Sequence, residues 1–180
     1  VGFVSEGNRS LWGESKVTNE EIVAKIKEAF PAAVVDIPAD MLDYTVVLAA
    51  DHLLPVCRFL RDEIGLDYLT DVTAVDYPEY FEVVYHFYSI SKQLGMLTCK
   101  VRLTDKENPV VDSVTPLWPG AHLMECEVYD LMGIKFVGHP NLRRIMLWDG
   151  FPGHPLRKDF ENRTFTFKEL EPTRPKPPNW

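Results

Sequence analysis

The stretch FEVVYHFYSISKQLGMLTCKVRL, residues 81–103, decides the fold of this 180-residue chain. Its first part, residues 81–89, alternates large apolar side chains with a second set that includes glutamate and histidine. Its last part, residues 97–103, alternates apolar side chains with threonine, lysine and arginine. A period of two residues is typical of β-strands, and residues 90–95 supply the hairpin between them. The stretch therefore predicts an antiparallel strand pair with one face in a core.

The residues before this hairpin predict two helices and three more strands. TNEE at residues 18–21 is a capping box that begins the first helix, and Pro31 ends it. Asp51 is the expected cap of the second helix, which tolerates Pro55 in its first turn and ends at Gly65. The apolar stripes of the two helices are Ile22, Val23, Ile26 and Phe30, then Leu53, Cys57, Leu60 and Ile64. The strands are predicted at residues 33–37, 43–49 and 66–76.

The residues after the hairpin predict one more helix and then a long irregular segment. The sequence WPG at 118–120 precedes a predicted helix at residues 121–132, which Gly133 ends. The apolar side of this helix is expected at Ala121, Met124, Val128 and Leu131. From residue 135 onward no strand or helix period persists, and the chain is rich in Gly, Pro, His and basic residues.

These elements predict an α+β fold in which two helices pack on a mostly antiparallel sheet, followed by a third helix and a long irregular C-terminal arm. We expect a flexible leader at residues 1–16, an α+β domain at 17–132 and an extended partner-binding arm at 133–180. The aromatic residues of the arm include Phe151, Phe160, Phe165, Phe167 and Trp180. Disordered tails are usually poor in aromatic residues, so we expect another protein to order the arm.

The composition is that of an ordinary globular protein, with 46% hydrophobic and 26% charged residues. The sequence contains neither an apolar run long enough to span a membrane nor a segment typical of a signal peptide, so we expect no direct membrane insertion. The three cysteines are scattered, which indicates reduced thiols in a reducing compartment rather than disulfides or a self-contained iron–sulfur site.

The net charge of −8 argues against nucleic acid as a partner, since phosphate repels an acidic surface. The charge is unevenly spread along the chain. Residues 133–180 contain nine Lys and Arg against five Asp and Glu, which leaves ten against twenty-two in residues 1–132. An acidic body with a basic C-terminal segment suggests a second surface that meets an acidic partner.

The richest chemistry lies between residues 125 and 160. Three carboxylates fall on the third helix, at Glu125, Glu127 and Asp130. The tripeptide Gly-His-Pro then occurs twice, at 138–140 and 153–155, and a Leu and a pair of cations follow each copy. Each copy predicts a rigid turn that aims the cations after it, which can pair with carboxylates of the helix or of a partner. The cation pairs are Arg143 with Arg144 and Arg157 with Lys158.

Three other interpretations of this stretch stay open. A metal site would use His122, Cys126, His139 and His154, whereas the alternative makes His139 and His154 hydrogen-bonding turn residues. An acid–base pair would join Glu125 to Glu127 or Asp130, although residues two apart on a helix point to different sides and structural salt bridges are the better explanation. The cation pairs could bind phosphate, but no glycine-rich phosphate loop occurs in the chain.

The stretch resembles the 30-kDa subunit family of respiratory complex I, whose members are designated by the letter C or J in bacterial and plastid NADH or plastoquinone dehydrogenases. The matching residues of the first motif are Glu125, Glu127, Asp130, Leu131, Met132, His139 and Arg143. Cys126 departs from the pattern, since the family usually has Arg there. GHPLRKD at 153–159 matches the closing motif.

The resemblance implies a scaffold subunit rather than a free-standing enzyme. Such subunits carry no catalytic residue, metal or cofactor of their own, and FMN, iron–sulfur clusters and quinone are expected on other subunits. The expected partner is the 49-kDa-type subunit, in a hydrophilic arm on the cytoplasmic, matrix or stromal side of the membrane. The residues expected to form the partner-binding or structural motif are Glu125, Glu127, Asp130, Gly133, His139, Pro140, Arg143, Arg144, Gly153, His154, Pro155, Arg157, Lys158 and Asp159. Equivalent subunits of membrane-bound hydrogenases and of ferredoxin or F420H2 dehydrogenases are the alternative.

Overall fold

A computed structural model describes residues 18–38, 44–148, 150–161, 164 and 166 of the chain. The predicted leader and most of the last twenty residues lie outside the described part. The helices are α1 at Asn19–Ala29, α2 at Leu53–Phe59 and α3 at Ala121–Met132. The strands, numbered β1 to β7, are Val34–Asp36, Thr45–Leu48, Tyr68–Asp76, Phe81–Tyr88, Leu97–Leu103, Val110–Asp112 and Lys135–Val137.

Five strands form one mixed sheet in the order β1-β2-β5-β4-β3, and β6 pairs with β7 in a second, two-stranded sheet. The predicted hairpin is central to the large sheet, with Tyr85 of β4 opposite Cys99 of β5 in antiparallel register. The pairing of β2 with β5 is parallel, while the other three pairings are antiparallel. The α+β class and the mostly antiparallel sheet are therefore confirmed.

One face of the large sheet forms the core together with α1 and α2. The predicted inward side chains of β4, which are Phe81, Val83, Tyr85 and Phe87, are all 0% exposed. They join one hydrophobic cluster with the predicted stripes of the two helices. On the opposite face Glu82 is buried as well, and Lys100 Nζ lies 2.8 Å from its carboxylate. This charge has a partner because an unpaired buried carboxylate is costly.

Most helix boundaries follow from the local sequence. Thr18 and Glu21 form the predicted capping box of α1, which ends one residue before Phe30. Gly65 and Gly133 end their helices in the left-handed conformation, with φ of +88° and +74°. The helical segment of α2 extends through one wider, π-type turn at Leu60–Ile64 before it reaches Gly65.

Two predictions about local structure are wrong. Asp51 does not cap α2, because a short 3-10 turn at Ala50–His52 precedes the helix and Asp51 instead hydrogen-bonds to His52 Nδ1 at 2.8 Å. The segment after Gly133 was predicted to have no regular structure, but Lys135–Val137 forms strand β7, which pairs in parallel with β6. A strand of three residues shows too little of the two-residue period to be recognised in a sequence.

Candidate functional site

Asp130 organises the segment that follows α3. Its side chain is 0% exposed, and its Oδ2 accepts hydrogen bonds from the backbone N–H groups of Ile145, Met146 and Leu147 at 3.0, 2.8 and 2.9 Å. Arg144 Nη1 lies 3.3 Å from Oδ1. Burial by itself raises the pKa of Asp130, but these amide donors and the Arg144 charge outweigh it and hold the pKa below its ordinary value. Asp130 is therefore a charged group that fixes residues 144–147.

Residues 154–157 bind the last carbonyl groups of α3, which have no donor inside the helix. His154 Nδ1 donates to the Asp130 carbonyl at 2.9 Å, and the Leu156 amide donates to the Leu131 carbonyl at 3.1 Å. Arg157 Nε donates to the Met132 carbonyl at 2.6 Å. A cation at this end of a helix is also favourable for the helix dipole. The second Gly-His-Pro turn thus caps α3.

Gly133 is needed at this junction for a second reason besides its positive φ. A Cβ atom there would lie 2.6 Å from the His154 ring and 2.7 Å from the Arg157 guanidinium. Any other residue would push the capping segment away from the helix end.

Asp76, at the end of β3, binds the backbone at Lys158, just after the segment that caps α3. It is 3% exposed, and its carboxylate accepts from the Lys158 amide at 2.8 Å and from Lys106 Nζ at 2.5 Å. Burial by itself raises the pKa of Asp76. The hydrogen bonds from Lys106 and from the Lys158 amide have the larger opposite effect and bring the pKa below its ordinary value. The Arg157 guanidinium lies 5.0 Å from the centre of the Phe81 ring. Residues 144–147 and 153–158 are thus held by the chain's own body.

Glu125 makes a different set of contacts one turn earlier on α3. It is 0% exposed and accepts from the Ser113 hydroxyl at 2.6 Å and from the Val114 amide at 2.8 Å. Burial raises its pKa to about 7, although both hydrogen bonds act in the opposite direction. Glu127 is exposed on another side of the helix. The three carboxylates therefore do not converge on one substrate position.

The first Gly-His-Pro turn packs against the start of α3. His139 Nδ1 accepts from the Asn141 amide at 3.1 Å, so its Nε2 carries the proton and donates to the His122 carbonyl at 3.0 Å. Burial lowers the pKa of His139, which keeps the ring neutral at pH 7. Cys126 Sγ lies 3.8 Å from His139 Nε2 and 3.6 Å from the Asn141 carbonyl. In the described structure, His139 and His154 each hydrogen-bond from their turn to a carbonyl group of α3.

The four possible metal ligands named from the sequence do not all come together. One ligand atom each of His122, Cys126 and His139 lies within 4.8 Å of the other two, but His154 is not part of this group. Its ring caps the opposite end of the helix, against the Asp130 carbonyl. The two turns have the same tripeptide but meet opposite ends of α3.

The other predicted motif residues divide into internal contacts and exposed positions. Arg144 bonds to the Gly153 carbonyl at 3.1 Å besides its ion pair with Asp130. Both Gly138 and Gly153 have positive φ, of +82° and +85°. Pro155 is half-buried in the capping segment. The exposed members are Glu127, Pro140, Arg143, Gly153, Lys158 and Asp159.

Sequence reasoning missed the groups that receive or supply the buried hydrogen bonds. These are Asp76, Lys106, Ser113 and the amides of residues 145–147. A serine or a backbone amide has no pattern that marks it as a partner of a distant carboxylate. The one available signal was in β3, where the alternation of inward and outward side chains assigns Asp76 to the inward face and so indicates a buried carboxylate that needs a partner.

The segment 145–156 presents apolar side chains to solvent. The most exposed are Met146 at 61% and Leu156 at 56%, and Trp148 and Ile145 are exposed at 42% and 37%. The Asp130 and Arg144 side chains bind the backbone of this segment at residues 145–147 and 153. An apolar set on a backbone with fixed geometry is typical of a protein–protein contact. Among the described residues, no helix has the length and apolar character required to cross a membrane.

Comparison with known proteins shows the family of the chain. Residues 46–166 match the model of the respiratory-chain NADH dehydrogenase 30 kDa subunit. The chain is 47% identical to the C subunit of an NADH-quinone oxidoreductase from Moorella thermoacetica, over 72% of this chain and 84% of that protein. It is 41% identical to the C subunit of the same kind of oxidoreductase from Geobacter sulfurreducens, over 79% and 89%.

Two solved structures are also similar. One is a trypsin-resistant fragment of Nqo5, with a TM-score of 0.57, 29% identity and coverage of 68% of this chain and 98% of that one. The other belongs to an archaeal membrane-bound sulfane sulfur reductase, with a TM-score of 0.65, 27% identity and coverage of 79% and 85%. The family match and the identity to its members agree with the motif at residues 125–159, and this chain belongs to the family of the respiratory-chain NADH dehydrogenase 30 kDa subunit.

Proposed function

We propose that the chain is a scaffold subunit of the hydrophilic arm of a complex I-type NAD(P)H-quinone oxidoreductase, docked on the 49-kDa-type subunit. In this role it supports electron transfer to quinone coupled to proton translocation. FMN, iron–sulfur clusters and quinone bind to other subunits, and the chain is peripheral on the cytoplasmic, matrix or stromal side of the membrane. Family membership supports the type of complex.

The observation that carries the docking proposal is the exposed apolar set on the segment 145–156. Its backbone is bound by Asp130 at residues 145–147 and by the Leu131 carbonyl at Leu156, so a partner does not have to order these residues, and binding costs less conformational entropy. Exposed Arg143 and Lys158 lie two residues before and two residues after this segment. They add a positive rim to the apolar centre, as the basic charge of residues 133–180 predicts for an acidic partner.

The proposal is tested by placing charge on the apolar set in the assembled complex. We expect the double variant Met146→Glu, Leu156→Glu to lower recovery of the chain with a tagged 49-kDa-type subunit by at least about tenfold, or about 1.4 kcal/mol. Membrane quinone-reductase activity should fall in parallel. The melting temperature of the isolated variant should stay close to that of the wild type, because both side chains are exposed.

The matched control is Ile90→Glu, which places the same charge on a side chain that is 60% exposed in the β4–β5 hairpin. We expect full assembly and activity from this variant. Normal recovery of the double variant with the tagged subunit would contradict docking through the segment 145–156.

A second candidate keeps the scaffold role but changes the complex. The structural similarity to a subunit of an archaeal membrane-bound sulfane sulfur reductase supports this alternative. Mass identification of the subunits that co-purify with the chain distinguishes the two. An NADH-oxidising flavoprotein subunit among them supports the complex I type, whereas a hydrogenase or sulfur-reducing set supports the alternative.

A further inference from the structure

Three side chains able to bind a metal meet beside the first half of α3. His122 and Cys126 are four residues apart on the helix and share one face. His139 reaches them from the turn after β7, and its ring stacks on that of His122 with centres 4.6 Å apart. One ligand atom of each residue lies within 4.8 Å of the other two.

These distances are close to those of a tetrahedral zinc site. Zinc–sulfur and zinc–nitrogen bonds of about 2.0 to 2.3 Å place two ligand atoms about 3.5 Å apart. Cys126 Sγ and His139 Nε2 are 3.8 Å apart, so this pair needs only a small adjustment. The nitrogen of His122 needs a contraction of up to about 1.3 Å, and the His122 ring has to turn out of its stack on His139 so that both rings can direct a lone pair at one ion.

One side of this cluster is open. His122 lines a cleft of about 430 Å³, whose walls include Thr115, Pro119 and Pro140. His122 is only half-buried, whereas Cys126 is 0% exposed. An ion held by the three side chains can therefore enter from the cleft and keep a coordination position directed toward it.

We propose that His122, Cys126 and His139 bind one divalent transition-metal ion of the zinc class, with a fourth position open to the cleft. Two nitrogen ligands and one thiolate suit a borderline-soft cation rather than Mg²⁺ or Ca²⁺, which prefer oxygen. The site goes beyond the scaffold role, and it does not require assembly of the complex.

Proton balance sets a specific expectation for binding. The Cys126 thiol loses its proton to solvent when it becomes a ligand. The His139 proton moves from Nε2 to Nδ1, so the hydrogen bonds to the His122 carbonyl and from the Asn141 amide are lost. Each bound ion therefore releases about one proton at neutral pH.

The test uses the 180-residue chain, stripped of metal with a chelator and titrated with Zn²⁺ and, separately, with Co²⁺. We expect one ion per chain, release of about one proton per Zn²⁺, and a sulfur-to-cobalt charge-transfer band with Co²⁺. The variants His122→Gln and Cys126→Ser should bind Zn²⁺ at least about tenfold more weakly, or about 1.4 kcal/mol. Cys126→Ser should also lose the cobalt band.

His52→Gln is the matched control, because His52 is a half-buried histidine outside the cluster whose ring contacts Asp51. It should bind Zn²⁺ like the wild type. His122→Gln decides the matter if Cys126→Ser fails to fold, since the His122 ring borders the cleft. Absence of Zn²⁺ binding by the wild type, or equal binding by His122→Gln, overturns the proposal. Neither result bears on docking, which is measured separately in the complex.

Discussion

Glu125 and Asp130 lie on the same helix, and both carboxylates are fully buried, but their pKa values shift in opposite directions. Burial raises the pKa of Glu125 to about 7, and the Ser113 hydroxyl and the Val114 amide are too few to reverse it. Asp130 is equally buried, but three amides and the Arg144 guanidinium bring its pKa below the ordinary value. The number of donors and the presence of a cation therefore decide which carboxylate stays charged.

This difference separates two structural roles. A charged Asp130 binds Arg144 and three amides that come later in the chain, and it fixes residues 144–147, which carry part of the exposed apolar set. Glu125 changes its protonation near neutral pH and joins α3 to the neighbouring residues 113–114. The comparison can be tested from the strongest expected effect to the weakest.

Removing the Asp130 carboxylate should have the largest effect. We expect Asp130→Ala to lower the free energy of unfolding by about 3 to 5 kcal/mol, because three amides and the buried part of Arg144 lose their acceptor. Urea denaturation measures this loss. Limited proteolysis should show new cleavage in residues 144–158. Glu127→Ala, on the exposed side of the same helix, should stay within about 0.5 kcal/mol of the wild type. A loss near zero for Asp130→Ala would contradict its organising role.

The pH dependence of stability should distinguish Glu125 from Asp130. The folded-state pKa of Glu125, about 7, exceeds the ordinary value of 4.5, so the folded chain binds this proton more tightly than the unfolded chain. Its contribution to stability is therefore lost as the pH rises from 4.5 through 7, by about 3 kcal/mol in total. The lowered pKa of Asp130 acts only in acid, where stability falls as the pH drops below its ordinary value of 3.8.

Glu125→Gln isolates the first of these contributions. Its carboxamide oxygen can accept from the Val114 amide, and its NH2 group can donate to the Ser113 hydroxyl. We expect the difference in unfolding free energy between the wild type and this variant to change by about 2 to 3 kcal/mol between pH 5 and pH 8. His139 and His154 titrate in both proteins and cancel from the difference. Parallel stability profiles would show that Glu125 does not titrate in this range.

The smallest effect is expected when Glu125 loses one of its two donors. Ser113→Ala should raise the Glu125 pKa further and lower the unfolding free energy at pH 8 by about 1 kcal/mol more than at pH 5. The Ser113 hydroxyl also contacts Thr115, and that loss should be the same at both pH values. In a Glu125→Gln background the pH-dependent part should disappear, which denaturation curves at the two pH values can show.

The sequence predicted the regular elements well where local signals were strong. The limits of α3 and β5 match the prediction residue for residue, because glycine ends the helix and a two-residue period marks the strand. The inward side of β4 was also correct. Local signals of this kind depend on residues close together in the chain, so one sequence is sufficient to recognise them.

The buried polar contacts could not be predicted in the same way. A helical pattern assigns carboxylates to the exposed side, whereas Glu125 and Asp130 are buried because distant donors satisfy them. The two Gly-His-Pro turns are identical in sequence, and only the fold places His139 near Cys126 and His154 at the far end of α3. These contacts join residues far apart in the chain, and no local period encodes them.

The parallel pairing of β2 with β5 also has a consequence for the order of folding. Strands β3, β4 and β5 follow one another as an antiparallel meander, which closes short loops and forms early. Leu48 pairs with Val101, and this contact must enclose the whole of that meander together with α2. The loop-closure entropy makes it a late contact. Substitutions in β2 should therefore speed unfolding more than they slow folding, while substitutions in the β4–β5 hairpin should act chiefly on the folding rate.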